Sequence, residues 1–296
     1  MRPLTPGSTR RHWVAGASAC AVWPAWAQGT AGSQPRRIVS VGGALTETLY
    51  ALGAQGDLVG ADTTSLYPAA AQQLPSVGYA RALSAEGVLS LRPTLIVAGG
   101  EAGPPAVLRQ LESARVPLVV MDIDHRAEAV ISRTQRLGDL CGRGAEGRAL
   151  AAELQREWER SREQVRQIVS RRGAPRVLFV LSHSMAQVRV SGGGTAADAM
   201  IGYAGGINVL AGVDGYKPLT PEAAIAAAPD VILATDQGLQ AAGGMAGLLK
   251  APGLGQTPAG RARRVVAQDA LFMLGFGPRL PQAVVALAEA MHGKAG

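Results

Sequence analysis

The chain has 296 residues, 47% of them hydrophobic and 17% charged. That is room for two ordinary domains, and a composition that excludes intrinsic disorder. The formal charge is +7, but Arg2, Arg10 and Arg11 lie in residues 1–27, which contain no acid, so the remainder carries +4. It has no Lys/Arg runs interleaved with aromatics, which excludes the usual nucleic-acid-binding surface.

At the N-terminus, Arg10-Arg11 precede a short apolar stretch from Trp13 to Trp26 that closes on Ala25-Trp26-Ala27. A basic segment, a short hydrophobic segment and an A-x-A site predict a cleaved export signal over residues 1–27. Ser8-Thr9-Arg10-Arg11 also fits a twin-arginine signal. Cys20, after Ala17-Ser18-Ala19, offers an alternative reading as a lipoprotein cysteine, although the customary leucine three residues earlier is missing. No other run reaches the roughly 18 apolar residues of a membrane span. Cleavage would remove Cys20 and leave Cys141, which by itself makes neither an internal disulfide nor a thiolate cluster and reads as a small buried residue.

From residue 37, short β-rich runs alternate with amphipathic ones. Ile38–Val41 reads as a strand, followed by Gly42-Gly43 and a helix from Leu45 to Leu52. Leu58–Gly60, Thr94–Ala98 and Pro117–Met121 read as strands, and Ala85–Leu91 and Pro105–Ala114 as helices. Strands separated by helices imply parallel βαβ units. The alternation gives way to a polar stretch near 145–170, where Leu150, Leu154, Trp158, Val165 and Ile168 share one helical face. After Gly173-Ala174-Pro175 it resumes: Val177–Leu181, Thr195–Tyr203, Glu222–Ala228, Val231–Ala234, Val265–Ala267, then a last helix over Pro281–His292. The predicted organisation is an N-terminal α/β lobe (36–142), a single long linking helix (143–172) and a C-terminal α/β lobe (173–293).

The two halves echo each other. Ser84-Ala85-Glu86-Gly87 through Leu95-Ile96-Val97 aligns without gaps on Thr220-Pro221-Glu222-Ala223 through Val231-Ile232-Leu233. Each has a hydroxyl N-cap, a first-turn Glu, a helix ended by Pro and a buried strand. Val39-Ser40-Val41-Gly42-Gly43 is likewise echoed by Val190-Ser191-Gly192-Gly193-Gly194. Two lobes of one kind imply a cleft between them, where a small ligand would bind.

Ala44-Leu45-Thr46-Glu47-Thr48-Leu49, Ser65-Leu66-Tyr67-Pro68, Gly215-Tyr216-Lys217-Pro218 and above all Val77-Gly78-Tyr79-Ala80-Arg81-Ala82-Leu83-Ser84-Ala85-Glu86 carry a wider resemblance. Over residues 36–293 the chain resembles the substrate-binding proteins of haem ABC importers, within the group that serves cobalamin and ferric siderophores. The resemblance implies a non-enzymatic, monomeric periplasmic carrier that binds haem non-covalently and passes it to a permease dimer in the inner membrane.

On that resemblance Tyr79 is the expected iron ligand. Ferric haem iron is a hard acid that a phenolate oxygen suits, and a neighbouring cation favours the phenolate. Arg81, two residues on, falls on the same side of an extended segment and would reach the phenolate or a propionate. Tyr67, before Pro68, is the rival ligand. Lys217 and Arg279 are candidate propionate partners from the second lobe, and His183, after a strand, is a candidate second ligand or distal donor. Glu86 and Glu222 are expected to dock the permease, one per lobe, while also favouring their helix N-termini; Glu47, within a helix, is a weaker docking candidate. The chain departs from the pattern at Gln237, where related haem-binding chains often carry Arg. A cobalamin or siderophore carrier of the same fold is the alternative function. An exported α/β enzyme is a further one, for which G-x-S-x-G and H-E-x-x-H are missing; the missing C-x-x-C-H argues against covalent haem, and the missing P-loop against the importer's ATPase. Ser191-Gly192-Gly193-Gly194 lacks dinucleotide-binding spacing and reads as a turn.

Overall fold

A computed structural model describes residues 35–122, 124–181 and 188–293. The expected export signal, Cys20 and His183 lie outside these residues. From Arg36 onward the chain forms one unit built on two sheets.

The first sheet belongs to the N-terminal lobe. Its strands are β1 (Ile38–Val41), β2 (Leu58–Ala61), β5 (Leu95–Gly99) and β6 (Leu118–Met121), all parallel, in the order β2-β1-β5-β6. A two-strand hairpin, β3 (Gly78–Tyr79) and β4 (Ala82–Leu83), stands apart. Helices α1 (Gly43–Ala51), α2 (Ala85–Ser90) and α3 (Pro105–Ser113) cover the sheet. Successive residues of β1 point to opposite faces, and both faces are apolar. Ile38 packs with Leu45, Leu49 and Leu137, and Val39 and Val41 with Val88, Ile96 and Leu111.

The second sheet runs β10 (Tyr216–Pro218), β8 (Arg189–Ser191), β7 (Arg176–Leu181), β11 (Val231–Thr235), β12 (Val265–Gln268), with β9 (Ile207–Asn208) also on β7. Here two strands that the sequence does not announce extend the parallel βαβ core in the opposite sense. β7, β11 and β12 are parallel, whereas β8 is antiparallel to β7, and β10 to β8. The link from Leu181 to Arg189 is too short for the crossover that a parallel neighbour requires. The lobe is completed by α6 (Ala196–Tyr203), α7 (Pro221–Ala227), α8 (Asp236–Ala241), α9 (Gly244–Leu249), α10 (Pro258–Arg261), α11 (Ala270–Leu274) and α12 (Leu280–His292). The internal repeat is real at the level of devices. Ser84 and Thr220 each cap their helix, accepting from the N–H of Gly87 and Ala223 at 3.2 Å. The strands that follow, β5 and β11, each lie between two parallel neighbours.

The expected long linking helix is α5 (Gly144–Arg172), and α4 (Ala127–Leu140), which the sequence does not announce, packs along it between the lobes. α5 has 29 residues, about 43 Å at 1.5 Å per residue. The helices pack so closely near their connection that a Cβ on Gly138 would lie 2.7 Å from the Gly147 Cα. Only glycine allows that approach. The pair belongs to both cores: Ala127 and Val130 of α4 join Trp158 and Val165 of α5 in the C-terminal core, while Leu137, Cys141 and Leu150 join the N-terminal one. Trp158 meets the edge of Tyr203 at 4.8 Å between ring centroids. Trp158→Ala is expected to cost about 3–5 kcal/mol, measured by chemical denaturation, against less than about 0.5 kcal/mol for an exposed α5 position such as Arg156→Ala.

Candidate functional site

The C-terminal ends of parallel strands face the space between the lobes, as the general rule for α/β sheets requires. From the N-terminal lobe β1 delivers Gly42 and Gly43, β2 delivers Thr63, Thr64 and Leu66, β5 delivers Gly100 and Glu101, and β6 delivers Asp122. From the other lobe come Gly194 and Thr195 after β8, Gln237 after β11, and Leu271, Leu274 and Gly275 from α11 and its end. Together they enclose a cleft of about 1040 Å³, at the upper edge of the roughly 300–1,000 Å³ of small-molecule sites.

One wall is fixed by a buried polar hub. Asp62 accepts hydrogen bonds from the Gly42 N–H (2.8 Å), the Thr64 N–H (3.0 Å), the Thr64 hydroxyl (2.7 Å) and the Ser65 hydroxyl (3.0 Å). The network runs on through Ser65 to Thr46 (2.7 Å) and Ser40 (2.8 Å). It requires both glycines. Gly42 has φ 122°, and a side chain on Gly43 would strike the Thr64 carbonyl. Nothing in the sequence pattern singles out Asp62, because its partners are brought together only by the sheet.

Tyr79 and Arg81 both line this cleft. They do so differently from the extended-strand expectation. Tyr79 pairs with Ala82 across the β3–β4 hairpin, so Arg81 sits in the turn between them. Tyr79 is 46% exposed, leaving its ring available to a ligand. Tyr216, from the opposite lobe, also lines the cleft; burial pushes its phenol above the ordinary range, with the positive charge of Arg81 acting against that rise. The expected cation beside it, Lys217, is exposed and is not among the cleft-lining residues. Adjacent strand residues point to opposite faces, and it is Tyr216 that points in.

Arg279 and Tyr67 do not line the cleft either. The Arg279 guanidinium makes two bonds to Glu47 and stacks 3.6 Å over the centroid of the Tyr67 ring. Glu47, 4% exposed, is thereby withdrawn from any docking surface. Glu86 and Glu222 are exposed in the first turns of α2 and α7. Gln237 donates to Asp269 (3.1 Å) and accepts from the Ala270 N–H (3.2 Å), so its amide braces the start of α11 from within the cleft wall. Gly192 and Gly193 donate their N–H groups to the carbonyls of Gly215 and Val213, and the Gly194 N–H goes to Asp198. These donors are therefore taken, and the glycine run is not an anion cradle.

His125, which no motif marks, also faces the cleft, with its ring 5.0 Å from that of Phe276. Partial burial lowers its pKa, leaving a neutral imidazole at pH 7. Its position just past the end of β6 is the signal that could have found it. Beneath it, Arg133 of α4 is buried and donates to the carbonyls of Asp122 (3.4 Å) and Phe276. Cys141 is buried, and desolvation pushes its thiol up to about 11, which makes it inert.

Two α/β lobes on a shared helical hairpin, with a wide cleft walled by strand ends, define a two-lobed ligand-binding protein. The chain belongs to the periplasmic binding protein family, which it matches over residues 38–270. It is a binding rather than a catalytic chain. Among solved structures, the periplasmic haem-binding protein BhuT in complex with two haems is 51% identical, with 87% of this chain and 98% of that one covered and a TM-score of 0.83. A periplasmic haem-binding protein from Pseudomonas aeruginosa is 39% identical, with 88% and 94% covered and a TM-score of 0.82. A cobalamin-binding protein of Halobacterium salinarum is 27% identical over 270 residues, 89% of this chain and 71% of that protein.

Asp62→Ala is expected to leave buried donors unpaired and to destabilise the protein by about 3 kcal/mol. Proteolysis and amide exchange would then place the loosened backbone at residues 42–43 and 63–65.

Proposed function

We propose that this chain is a periplasmic carrier that binds haem non-covalently in the interlobe cleft and delivers it to an ABC importer. The observation that carries the reading is the hairpin placing Tyr79 and Arg81 together in a cleft of about 1040 Å³, in a chain 51% identical to a haem-binding relative. The Tyr79 oxygen would ligate ferric iron as a phenolate, the chemistry that catalases use. Arg81 would favour the phenolate or pair with a propionate, and the leucines at 66, 271 and 274 would face the porphyrin. Tyr216 would stay protonated and serve as a hydrogen-bond donor. Gln237 would contribute at most a neutral contact in place of an arginine, leaving Arg81 a larger share of the propionate charge. Lys217 and Arg279 would each have to turn from their present positions to take part.

Export by the segment 1–27 would bring the chain to the periplasm. Glu86 and Glu222, exposed at matching places in the two half-repeats, would meet basic groups of the permease, one lobe against each subunit. A cobalamin carrier is the second reading, favoured by the match to the Halobacterium salinarum protein.

Titration of the purified protein with ferric haem is expected to give saturable binding and a high-spin spectrum with a phenolate-to-iron charge-transfer band. Tyr79→Phe should abolish the band and weaken affinity about 100-fold, near 2.7 kcal/mol. Arg81→Ala should weaken it about 10-fold with the band retained. Saturable binding of cobalamin and none of haem would overturn the assignment. For docking, the double variant Glu86→Lys, Glu222→Lys should bind haem as the parent does but lose uptake in permease-containing proteoliposomes.

A further inference from the structure

We infer that Glu47, Arg279 and Tyr67 form a clamp between the lobes that positions the Tyr79 hairpin; it rests on the proposed function only for the identity of the ligand. Glu47 lies on α1, directly after the Gly42-Gly43 wall of the cleft. Its two carboxylate oxygens receive Nε and Nη2 of Arg279 at 2.7 and 2.8 Å. Arg279 comes from the other lobe, at the start of α12. The same guanidinium lies flat on Tyr67, 3.6 Å from the ring centroid, with the Phe272 ring at 5.0 Å on the C-terminal side.

Tyr67 belongs to the loop that carries Thr63, Thr64 and Leu66 into the cleft. The Thr63 N–H donates to the Gly78 carbonyl at 2.9 Å, and Gly78 immediately precedes Tyr79. A continuous path therefore leads from the C-terminal lobe, through one guanidinium and one aromatic ring, to the residue next to the proposed iron ligand. Physical chemistry makes the path stiff. A buried carboxylate cannot be left unpaired without a large penalty, and a planar guanidinium can fork onto a carboxylate and stack on a ring at once, which an ammonium cannot. These are positioning residues, since none of the three lines the cleft.

The test is run on the apo protein and on the haem complex. Spin labels at Gln73→Cys, on the turn after Tyr67, and Lys250→Cys, in the C-terminal lobe, of the mature chain, whose Cys141 is buried and inert, report the distance between loop and lobe without any ligand. Parent protein should give one narrow distance distribution. Glu47→Gln and Arg279→Lys should broaden it and speed haem dissociation at least 10-fold, with loss of intensity in the charge-transfer band. Tyr67→Phe keeps the ring and should match the parent in both readouts, whereas Tyr67→Ala should behave like Glu47→Gln. A narrow distribution and unchanged dissociation in Glu47→Gln would overturn the clamp, as would a Tyr67→Phe variant as impaired as Tyr67→Ala. If the parent binds no haem but Glu47→Gln still broadens the distribution, the haem reading falls and the clamp stands.

Discussion

The α4–α5 hairpin is a member of both hydrophobic cores, and much else follows from that sharing. Val130, Trp158 and Val165 are buried with the C-terminal sheet, Leu137 and Cys141 with the N-terminal one, and Leu150 packs half-buried against the latter. A linker tethered only at its ends would let the lobes swing. Here, moving one lobe against the other drags a helix pair whose opposite ends are packed into different interiors, and packed interiors do not deform continuously. The strand ends of both sheets are thereby held across from one another, and the cleft exists before any ligand arrives.

Two charged contacts refine that arrangement. Arg133 rises from α4 to the carbonyls of Asp122 in one lobe and Phe276 in the other. Arg279 reaches back from the C-terminal lobe to Glu47. Both guanidiniums are spent where an unsatisfied partner would cost several kcal/mol, so the lobes are coupled by necessity as well as by apolar contact. A cationic residue that serves this purpose is lost to the ligand. The propionate-binding expectation for Arg279 therefore meets a physical competitor that no sequence pattern announces: a buried carboxylate 232 positions away in the chain.

Much of the fold is legible in the sequence, because it rests on local signals. Caps at Ser84 and Thr220, Pro at the starts of α3, α7 and α12, and apolar runs in β1, β5, β7 and β11 fix most elements to within a residue or two. The elements that go unread lack such signals or depend on distant partners. α4 is of mixed polarity and buries an arginine, so its apolar face is narrow; β8 and β10 are three-residue strands that exist only by pairing. The site divides the same way. Tyr79 and Arg81 are visible as a motif within one hairpin, whereas Asp62, His125 and Tyr216 take their meaning from strand ends far apart in sequence. Lys217 illustrates the limit. The right segment is found, but strand alternation decides that its neighbour faces the cleft.

The same economy bears on how a carrier can both hold and release its cargo. Tyr79 ends a two-residue strand and is nearly half exposed, and Arg81 in the turn that follows is exposed as well. Neither is locked by a core, so the direct contacts proposed for the ligand sit on the part of the wall least tied to global stability. The stiff elements, the Asp62 hub and the helical hairpin, lie behind them. An arrangement of that kind would let a partner that displaces one hairpin break the proposed iron bond without unfolding a lobe, whereas a ligand set buried in the sheets would couple release to the stability of the whole chain.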